Sequence, residues 1–222
     1  RSGFRVVVIT QFDGYEKKVA NEVYKVCPLY ISRKGINPFV DIITLCDLVK
    51  KLTYLKPDYF LLFSIKPVIY GSIAARIMNI PHIAMITGLG TAFISGNWIT
   101  KIVKSLYRLS LAKASVVFFQ NTDDKELFVL DGLVNPEVCQ LTPGSGIDLD
   151  KFLFTDLPSG SHITFLLIAR MLRDKGVIEF VDAARVLNGW GVNARFALVG
   201  STDPHNPESV PDKQLDQWVK EG

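Results

Sequence analysis

The chain has 222 residues, of which 48% are hydrophobic and 21% are charged, and its formal net charge is +3. This composition excludes a disordered polypeptide and is typical of a folded protein with one large domain or two small ones. The net charge is too small to favour a nucleic-acid-binding function, so we expect no nucleic-acid partner.

Apolar runs of strand length alternate along the chain with amphipathic segments of helix length. The predicted strands lie at 4–10, 29–32, 59–64, 82–86, 115–120, 137–142, 164–169 and 194–199. The predicted helices lie at 16–26, 39–55, 67–78, 98–112, 123–131 and 175–187. Several strand runs are apolar throughout, which is typical of strands that helices cover on both faces of a parallel sheet. The alternation predicts an α/β fold with a Rossmann-like, doubly wound parallel sheet.

The alternation is interrupted near residues 143–161 by a turn-rich loop followed by a polar linker. We interpret this break as a hinge between two domains. A nearly complete N-terminal Rossmann-like domain is predicted at 1–148, a linker at 149–161, and the start of a second Rossmann-like domain at 162–222. A long surface loop within one domain is the alternative that the sequence leaves open.

The best candidate for a functional site follows the predicted strand at 164–169. Arg170 stands at the carboxyl end of this strand, and Lys175 stands in the first turn of the predicted helix at 175–187. Ligands of open α/β sheets bind at the carboxyl ends of the strands, and a helix N-terminus favours anions. An arginine and a lysine at such a place predict a site for a diphosphate. Two solvated surface cations are the alternative.

Two glycine-containing loops are further candidates. One follows the strand at 82–86 and contains Gly88, Gly90 and Thr91, whereas the other lies at the hinge and contains Gly144 and Gly146. Glycine permits tight turns and a close approach of the backbone to a ligand. The hinge glycines would let the backbone line the cleft. Taken alone, the first loop is better explained as a simple turn, since it does not form a GxGxxG motif after the first strand.

The predicted helix at 98–112 is basic on one side. Lys101, Lys104 and Arg108 fall on that side, Trp98 stands at the start, and apolar residues lie towards the other side. A basic amphipathic helix with an aromatic end is typical of contact with an anionic membrane surface. A solvated helix on the surface of a domain has the same pattern and is the alternative.

Cysteine and histidine provide no evidence for a metal site. The three cysteines form no CxxC pair, which favours reduced thiols and a cytoplasmic protein. The three histidines have no metal-ligand spacing, so we expect neither a zinc ion nor another metal.

No apolar run approaches the roughly 18–20 residues that span a bilayer. Both ends look cut, because the chain begins in a strand pattern and stops in a helix pattern.

Five stretches of the chain, in order, carry a resemblance to a known family. They are Ser64-Ile65-Lys66-Pro67 through Tyr70-Gly71-Ser72-Ile73-Ala74-Ala75-Arg76; Thr87-Gly88-Leu89-Gly90; Phe119-Gln120-Asn121 with Asp124 and Glu126-Leu127-Phe128; Pro143-Gly144-Ser145-Gly146-Ile147-Asp148 with Phe152; and Arg170 through Lys175-Gly176. Together they resemble the retaining glycosyltransferases of family four, which have the two-Rossmann GT-B fold. The resemblance implies transfer of a hexose-type sugar from a nucleotide-diphosphate sugar to an acceptor.

The resemblance also implies roles for particular residues. Arg170 and Lys175 would hold the donor diphosphate and stabilise it as it leaves, without a metal or other cofactor, and the hinge loop would adjoin this donor site. The loop around Gly88, Gly90 and Thr91 would face the acceptor, which in similar proteins is commonly a polyprenyl-diphosphate-linked saccharide used in polysaccharide or glycoprotein assembly. The basic helix would then hold the enzyme on the cytoplasmic face of the membrane.

The chain departs from the family at both ends. A first strand with a glycine-containing loop and a later pair of glutamates belong to the family pattern, and the chain shows neither. We therefore assign the activity to the parent protein and expect the fragment to bind the donor weakly or to be inactive. A sugar-nucleotide 2-epimerase of similar fold and a non-catalytic module that binds a sugar or an acceptor remain as alternatives.

Overall fold

A computed structural model describes residues 3–12, 14–32, 37–89, 98–156, 162–204, 206 and 208–221. The chain folds into two compact units, Arg1–Asp148 and Leu149–Gly222, which we call unit 1 and unit 2. Each unit has its own sheet structure and its own buried core. The predicted linker, and the assignment of one unit to the acceptor and the other to the donor, stay predictions.

Unit 1 alternates strands and helices through the residues that the structure describes. In chain order they are β1 (Val7–Thr10), α1 (Glu16–Ala20), β2 (Lys25–Pro28), α2 (Pro38–Leu55), β3 (Phe60–Phe63), α3 (Ile65–Ile77), β4 (His82–Ile86), α4 (Trp98–Leu111), β5 (Val116–Phe119), α5 (Thr122–Leu130) and β6 (Cys139–Leu141). Strands β1 and β2 pair with each other, and β3 to β6 form a four-stranded sheet in chain order. Every ladder is parallel, which confirms the predicted α/β class.

The predicted bounds differ most from the structure between residues 16 and 32. The helix predicted at 16–26 ends at Ala20, and the strand predicted at 29–32 lies earlier, as β2. The apolar residues Val26 and Cys27 fit a helical stripe, but they lie in the ladder with β1, where Val8 pairs with Val26. Long-range strand pairing therefore overrides the local pattern in this segment.

The core of unit 1 lies between the four-stranded sheet and the helices that follow its strands. The ring of Phe128, on α5, is fully buried between Tyr107 of α4 and Phe119 of β5. Its centroid lies 5.0 Å from that of Tyr107 and 5.3 Å from that of Phe119, with both pairs edge-to-face. Edge-to-face aromatic pairs add to the free energy that burial alone supplies. These three rings therefore fix α4 and α5 against the sheet.

Asparagine side chains begin two helices of unit 1. The Oδ1 atom of Asn37 accepts from the backbone N–H groups of Phe39 (3.2 Å) and Val40 (3.4 Å), at the start of α2. Asn121 accepts from the N–H of Asp124 at 2.7 Å, at the start of α5. The second contact lies at the start of the helix predicted at 123–131, where a side-chain oxygen satisfies an otherwise unpaired N–H.

Unit 2 contains two parallel strands and two helices in its described part. They are β7 (Ile163–Ile168), α6 (Val177–Gly189), β8 (Ala194–Val199) and α7 (Asp212–Glu221). Strands β7 and β8 pair in register from Ile163 with Ala194 to Ile168 with Val199. The buried residues Met171, Val177 and Val210 form the centre of the core. In the described ranges, no helix is both long and apolar enough to cross a membrane.

Candidate functional site

Arg170 lies just beyond the carboxyl end of β7, as the sequence predicts. The ladder between β7 and β8 continues past the strands, because Ala169 donates to the carbonyl of Val199 and Met171 donates to that of Ser201, both at 3.0 Å. A β-carbon at Gly200 would overlap the carbonyl oxygen of Ala169, so only glycine fits this close approach. The Arg170 side chain is 58% exposed. The backbone of Arg170 is thus fixed while its guanidinium faces solvent.

Buried residues anchor the turn after Arg170. Met171 and Leu172 are only 2% and 1% exposed. The N–H of Val210 donates to the carbonyl of Met171 at 2.9 Å, and the N–H of Arg173 donates to that of Glu208 at 2.8 Å. Ser201, Glu208 and Val210 therefore hold the turn from one side. Arg170, before the buried pair Met171 and Leu172, and Arg173, after it, are both exposed.

Lys175 does not lie in the first turn of the helix, which corrects the sequence prediction. It ends a short 3-10 helix, Arg173–Lys175, and α6 begins two residues later at Val177. Gly176 between them has a φ of +73°, a left-handed conformation that an α-helix cannot contain and that glycine adopts readily. Lys175 therefore stands beside the N-terminus of α6, and its side chain is 47% exposed.

The start of α6 has no side-chain cap, because Gly176 occupies the N-cap position. The first N–H groups of a helix have no partner within it and carry partial positive charge. A helix N-terminus beside two cations can bind an anion with two phosphate groups. Arg170 and Lys175 stand at the two ends of the short turn that precedes this N-terminus.

Each of these two cations has a carboxylate near it. Arg170 Nη1 lies 3.8 Å from Asp203 Oδ2, and Lys175 Nζ lies 3.9 Å from Asp174 Oδ2. Both distances exceed those of charge-assisted hydrogen bonds, which are about 2.7–2.9 Å. Since exposed ion pairs contribute about 0–1 kcal/mol, neither carboxylate prevents the cations from binding an anionic ligand.

The predicted glycine loops are described in part. Gly88 follows β4 and has a φ of +140°, and Gly144 and Gly146 follow β6 with φ values of +93° and +70°. Residues other than glycine rarely adopt this left-handed region. Gly90 and Thr91 lie outside the described residues. All of these residues belong to unit 1, whereas Arg170 and Lys175 belong to unit 2.

Helix α4 presents a mixed face to solvent, which differs from the predicted separation of charged and apolar sides. Trp98 is 67% exposed, and Lys101, Ile102 (40%) and Leu109 (51%) are exposed on the same side. The inward side is occupied by buried residues such as Tyr107, so Ile102 and Leu109 remain outside. Aromatic, aliphatic and basic side chains therefore share the outer face.

The other two cations of α4 contact the end of α5. Lys104 Nζ lies 2.8 Å from Asp131 Oδ2. The guanidinium of Arg108 donates to the carbonyl of Asp131 at 2.9 Å and to that of Gly132 at 3.0 Å. Cations next to the last carbonyls of a helix stabilise it. These contacts give Lys104 and Arg108 a structural role that the sequence pattern did not reveal, and their predicted contact with a membrane stays a prediction.

Comparison with known proteins decides the family. Residues 1–121 match the model of the glycosyl transferase 4-like family, which is more than half of the chain. The chain belongs to this family. The glycosyltransferase resemblance predicted from the sequence is therefore confirmed.

The glycosyl transferase 4-like chain is similar to longer proteins. It is 32% identical over 219 residues to the N,N'-diacetylbacillosaminyl-diphospho-undecaprenol alpha-1,3-N-acetylgalactosaminyltransferase of Campylobacter jejuni, and the match covers 91% of the chain and 57% of the relative. The chain therefore spans little more than half the length of that relative.

Solved structures share the fold of this glycosyl transferase 4-like chain. Anabaena HepE in complex with UDP-glucose matches with a TM-score of 0.69 and 17% identity, over 97% of this chain and 57% of that one. Sucrose-phosphate synthase from Thermosynechococcus elongatus matches with a TM-score of 0.70 and 15% identity, over 99% and 58%. At such low identity the likeness shows the fold alone.

Sequence reasoning missed a buried polar cluster in unit 1. The ammonium of Lys66, at the start of α3, lies 3.0 Å from Asp41 Oδ1 of α2, and Asp41 is only 6% exposed. Burial, together with the neighbouring Asp41, raises the pKa of Tyr70. Lys66 also lines a cavity of about 600 Å³ between β1 and β3. The signal in the sequence was Lys66 directly after a strand, but its partner lies 25 residues away.

Within the described ranges, no three side chains of histidine, cysteine, aspartate or glutamate lie close enough to hold a metal ion. The turn at 170–176 offers two exposed cations and the first backbone N–H groups of α6 as ligands for an anion. Both kinds of group donate hydrogen bonds, which the oxygens of a diphosphate accept.

Proposed function

We propose that the protein transfers a sugar from a nucleotide-diphosphate sugar to an acceptor, and that Arg170 and Lys175 bind the donor diphosphate. The observation that carries this proposal is the pair of exposed cations at one turn, beside the uncapped N-terminus of α6. Membership of the glycosyl transferase 4-like family supports the reaction class. The activity belongs to the whole protein.

The proposed reaction breaks the bond between the anomeric carbon and the diphosphate oxygen. An acceptor hydroxyl oxygen forms the new bond to that carbon and gives up its proton to the departing diphosphate or to water, while the nucleoside diphosphate leaves with the electron pair. Negative charge therefore grows on the diphosphate in the transition state. Fixed cations and N–H groups at the place where charge develops lower the barrier. Arg170, Lys175 and the start of α6 supply such groups without a metal ion.

The proposed acceptor is a polyprenyl-diphosphate-linked saccharide or a growing polysaccharide. The relative that is 32% identical is named for a diphospho-undecaprenol acceptor, which supports this class. We assign the acceptor side to unit 1, including Gly88, Gly90 and Thr91, and we propose retention of the anomeric configuration. Proton NMR of the product reads that configuration directly.

Omitting the acceptor tests the reaction class. In the full-length protein supplied with a UDP-sugar, we expect release of UDP only when a polyprenyl-diphosphate saccharide is present. A 2-epimerase cleaves its sugar nucleotide without any acceptor. Equal release of UDP with and without the acceptor would therefore contradict a transferase and favour an epimerase. Binding of the acceptor without release of UDP would instead favour a binding module.

We also propose that the outer face of α4 contacts the cytoplasmic surface of a membrane. Trp98, Ile102 and Leu109 can enter the interface, and Lys101 can lie at anionic headgroups, where one cation contributes about 1 kcal/mol. We expect Trp98→Ala to weaken sedimentation of the protein with vesicles that contain anionic phospholipid. Trp190, which is 75% exposed in unit 2, provides the matched control. Equal binding by Trp98→Ala and Trp190→Ala would contradict the proposed face.

A further inference from the structure

Asp203 is the carboxylate beside Arg170, and backbone hydrogen bonds hold its main chain. Its N–H donates to Ser209 Oγ at 3.2 Å. Its carbonyl accepts from the N–H of Asn206 at 2.8 Å. These two contacts fix the backbone of Asp203 without using its carboxylate.

The same loop is tied to the turn that carries Arg170. Leu172 and Ser209 form an antiparallel bridge, and Met171 donates to the carbonyl of Ser201 at 3.0 Å. The positions of Asp203 and Arg170 relative to each other are therefore set by backbone contacts on both sides. The ion pair between Arg170 and Asp203, at 3.8 Å, therefore results from the backbone contacts and is not needed to maintain them.

The exposure of the two side chains differs in a way that matters for ligand binding. Arg170 is 58% exposed, whereas Asp203 is 29% exposed. An anion approaching from solvent reaches the guanidinium first, and Asp203 Oδ2 lies 3.8 Å from its Nη1 atom. A phosphate group bound to the guanidinium therefore lies close to the Asp203 carboxylate.

We propose that Asp203 is an internal counter-ion that lowers the affinity of Arg170 for nucleoside diphosphate. This inference rests on the proposed function of Arg170. A bound diphosphate takes the place of the carboxylate on the guanidinium and then lies close to its negative charge. Like charges at such distances repel each other. Asp203 therefore weakens binding of the product diphosphate and promotes its release, a step that limits many enzymes.

The test uses UDP as the probe and the full-length protein, with binding followed by NMR titration. Asp203→Asn removes the charge and keeps the shape, and we expect it to tighten UDP binding by about threefold to fivefold, since exposed charge pairs are worth roughly that factor. Asp203→Ser serves as a second neutral variant. Asp182→Asn is the matched control, because Asp182 pairs with a different arginine, Arg185, at 3.0 Å.

A double-mutant cycle separates this inference from the proposed function. In the Arg170→Ala background, Asp203→Asn should tighten UDP binding less than it does in the unaltered protein, because the part of its effect that acts through Arg170 is absent. The inference alone would be overturned if both neutral Asp203 variants bound UDP as tightly as the unaltered protein or less tightly, while Arg170→Ala still weakened UDP binding. If Arg170→Ala binds UDP as tightly as the unaltered chain, the proposed diphosphate site itself is wrong.

Discussion

Replacing Arg170 with alanine in the full-length protein is expected to lower kcat/KM for sugar transfer by roughly 30-fold to 1000-fold. The physical reason is the charge that grows on the leaving diphosphate, because removing one donor to such a charge costs about 2–4 kcal/mol of transition-state stabilisation. Arg170 contributes both a full charge and several N–H donors, so its loss should reduce kcat as well as weaken donor binding. Steady-state kinetics with varied donor measures both effects.

Arg185 provides the control for a general loss of positive charge from unit 2. It is 48% exposed on α6, and its guanidinium pairs with Asp182 at 3.0 Å and with Glu221 at 2.6 Å. Arg185→Ala should leave kcat/KM almost unchanged, since this arginine lies in ion pairs of its own. A loss below about threefold in Arg170→Ala, or an equal loss in both variants, would contradict the role assigned to Arg170.

Replacing Phe128 with alanine is expected to lower the free energy of unfolding of unit 1 by about 3–5 kcal/mol. The ring is completely buried between Tyr107 and Phe119, and both neighbours lie edge-to-face against it. The substitution removes buried apolar surface, leaves a cavity and breaks two aromatic contacts. Urea-induced unfolding of the variant and of the unaltered chain measures the difference.

Leu130 gives a matched control for Phe128 because it lies on the same helix, two residues away. Its side chain is 85% exposed, so Leu130→Ala should change the free energy of unfolding by less than about 0.5 kcal/mol. If the two variants lose similar stability, helix propensity and not the aromatic cluster explains the effect. If neither variant loses stability, the described packing of α5 is contradicted.

Strands that are short, apolar and bounded by turns could be predicted well from the sequence. The strands at 82–86 and 194–199 have the predicted bounds because their apolar runs stop at turns that contain Gly88 and Gly200. The segment that includes β2 could not be placed, since its pairing with β1 is a long-range contact that no local pattern encodes. The prediction of the α/β class is nevertheless correct, because it depends on the alternation along the whole chain.

The candidate site could be predicted in its cations but not in its carboxylates. Arg170 and Lys175 stand out because they follow an apolar strand directly. Asp203 lies 33 positions further along and reaches Arg170 only through the fold of the loop after β8. The sequence pattern places Lys175 in the wrong element because Gly176 can either continue a helix pattern or adopt the left-handed conformation found here. The contacts of Lys104 and Arg108 on α4 with Asp131 and Gly132 could not be predicted from the sequence either.

A crystal structure of the chain with UDP bound tests the assignment of the diphosphate site most directly. We expect phosphate oxygens within about 3.2 Å of the Arg170 guanidinium and the Lys175 ammonium. We also expect the diphosphate to take the place of Asp203 on Arg170. A diphosphate bound away from both cations, with Arg170 still paired to Asp203, would contradict the assignment.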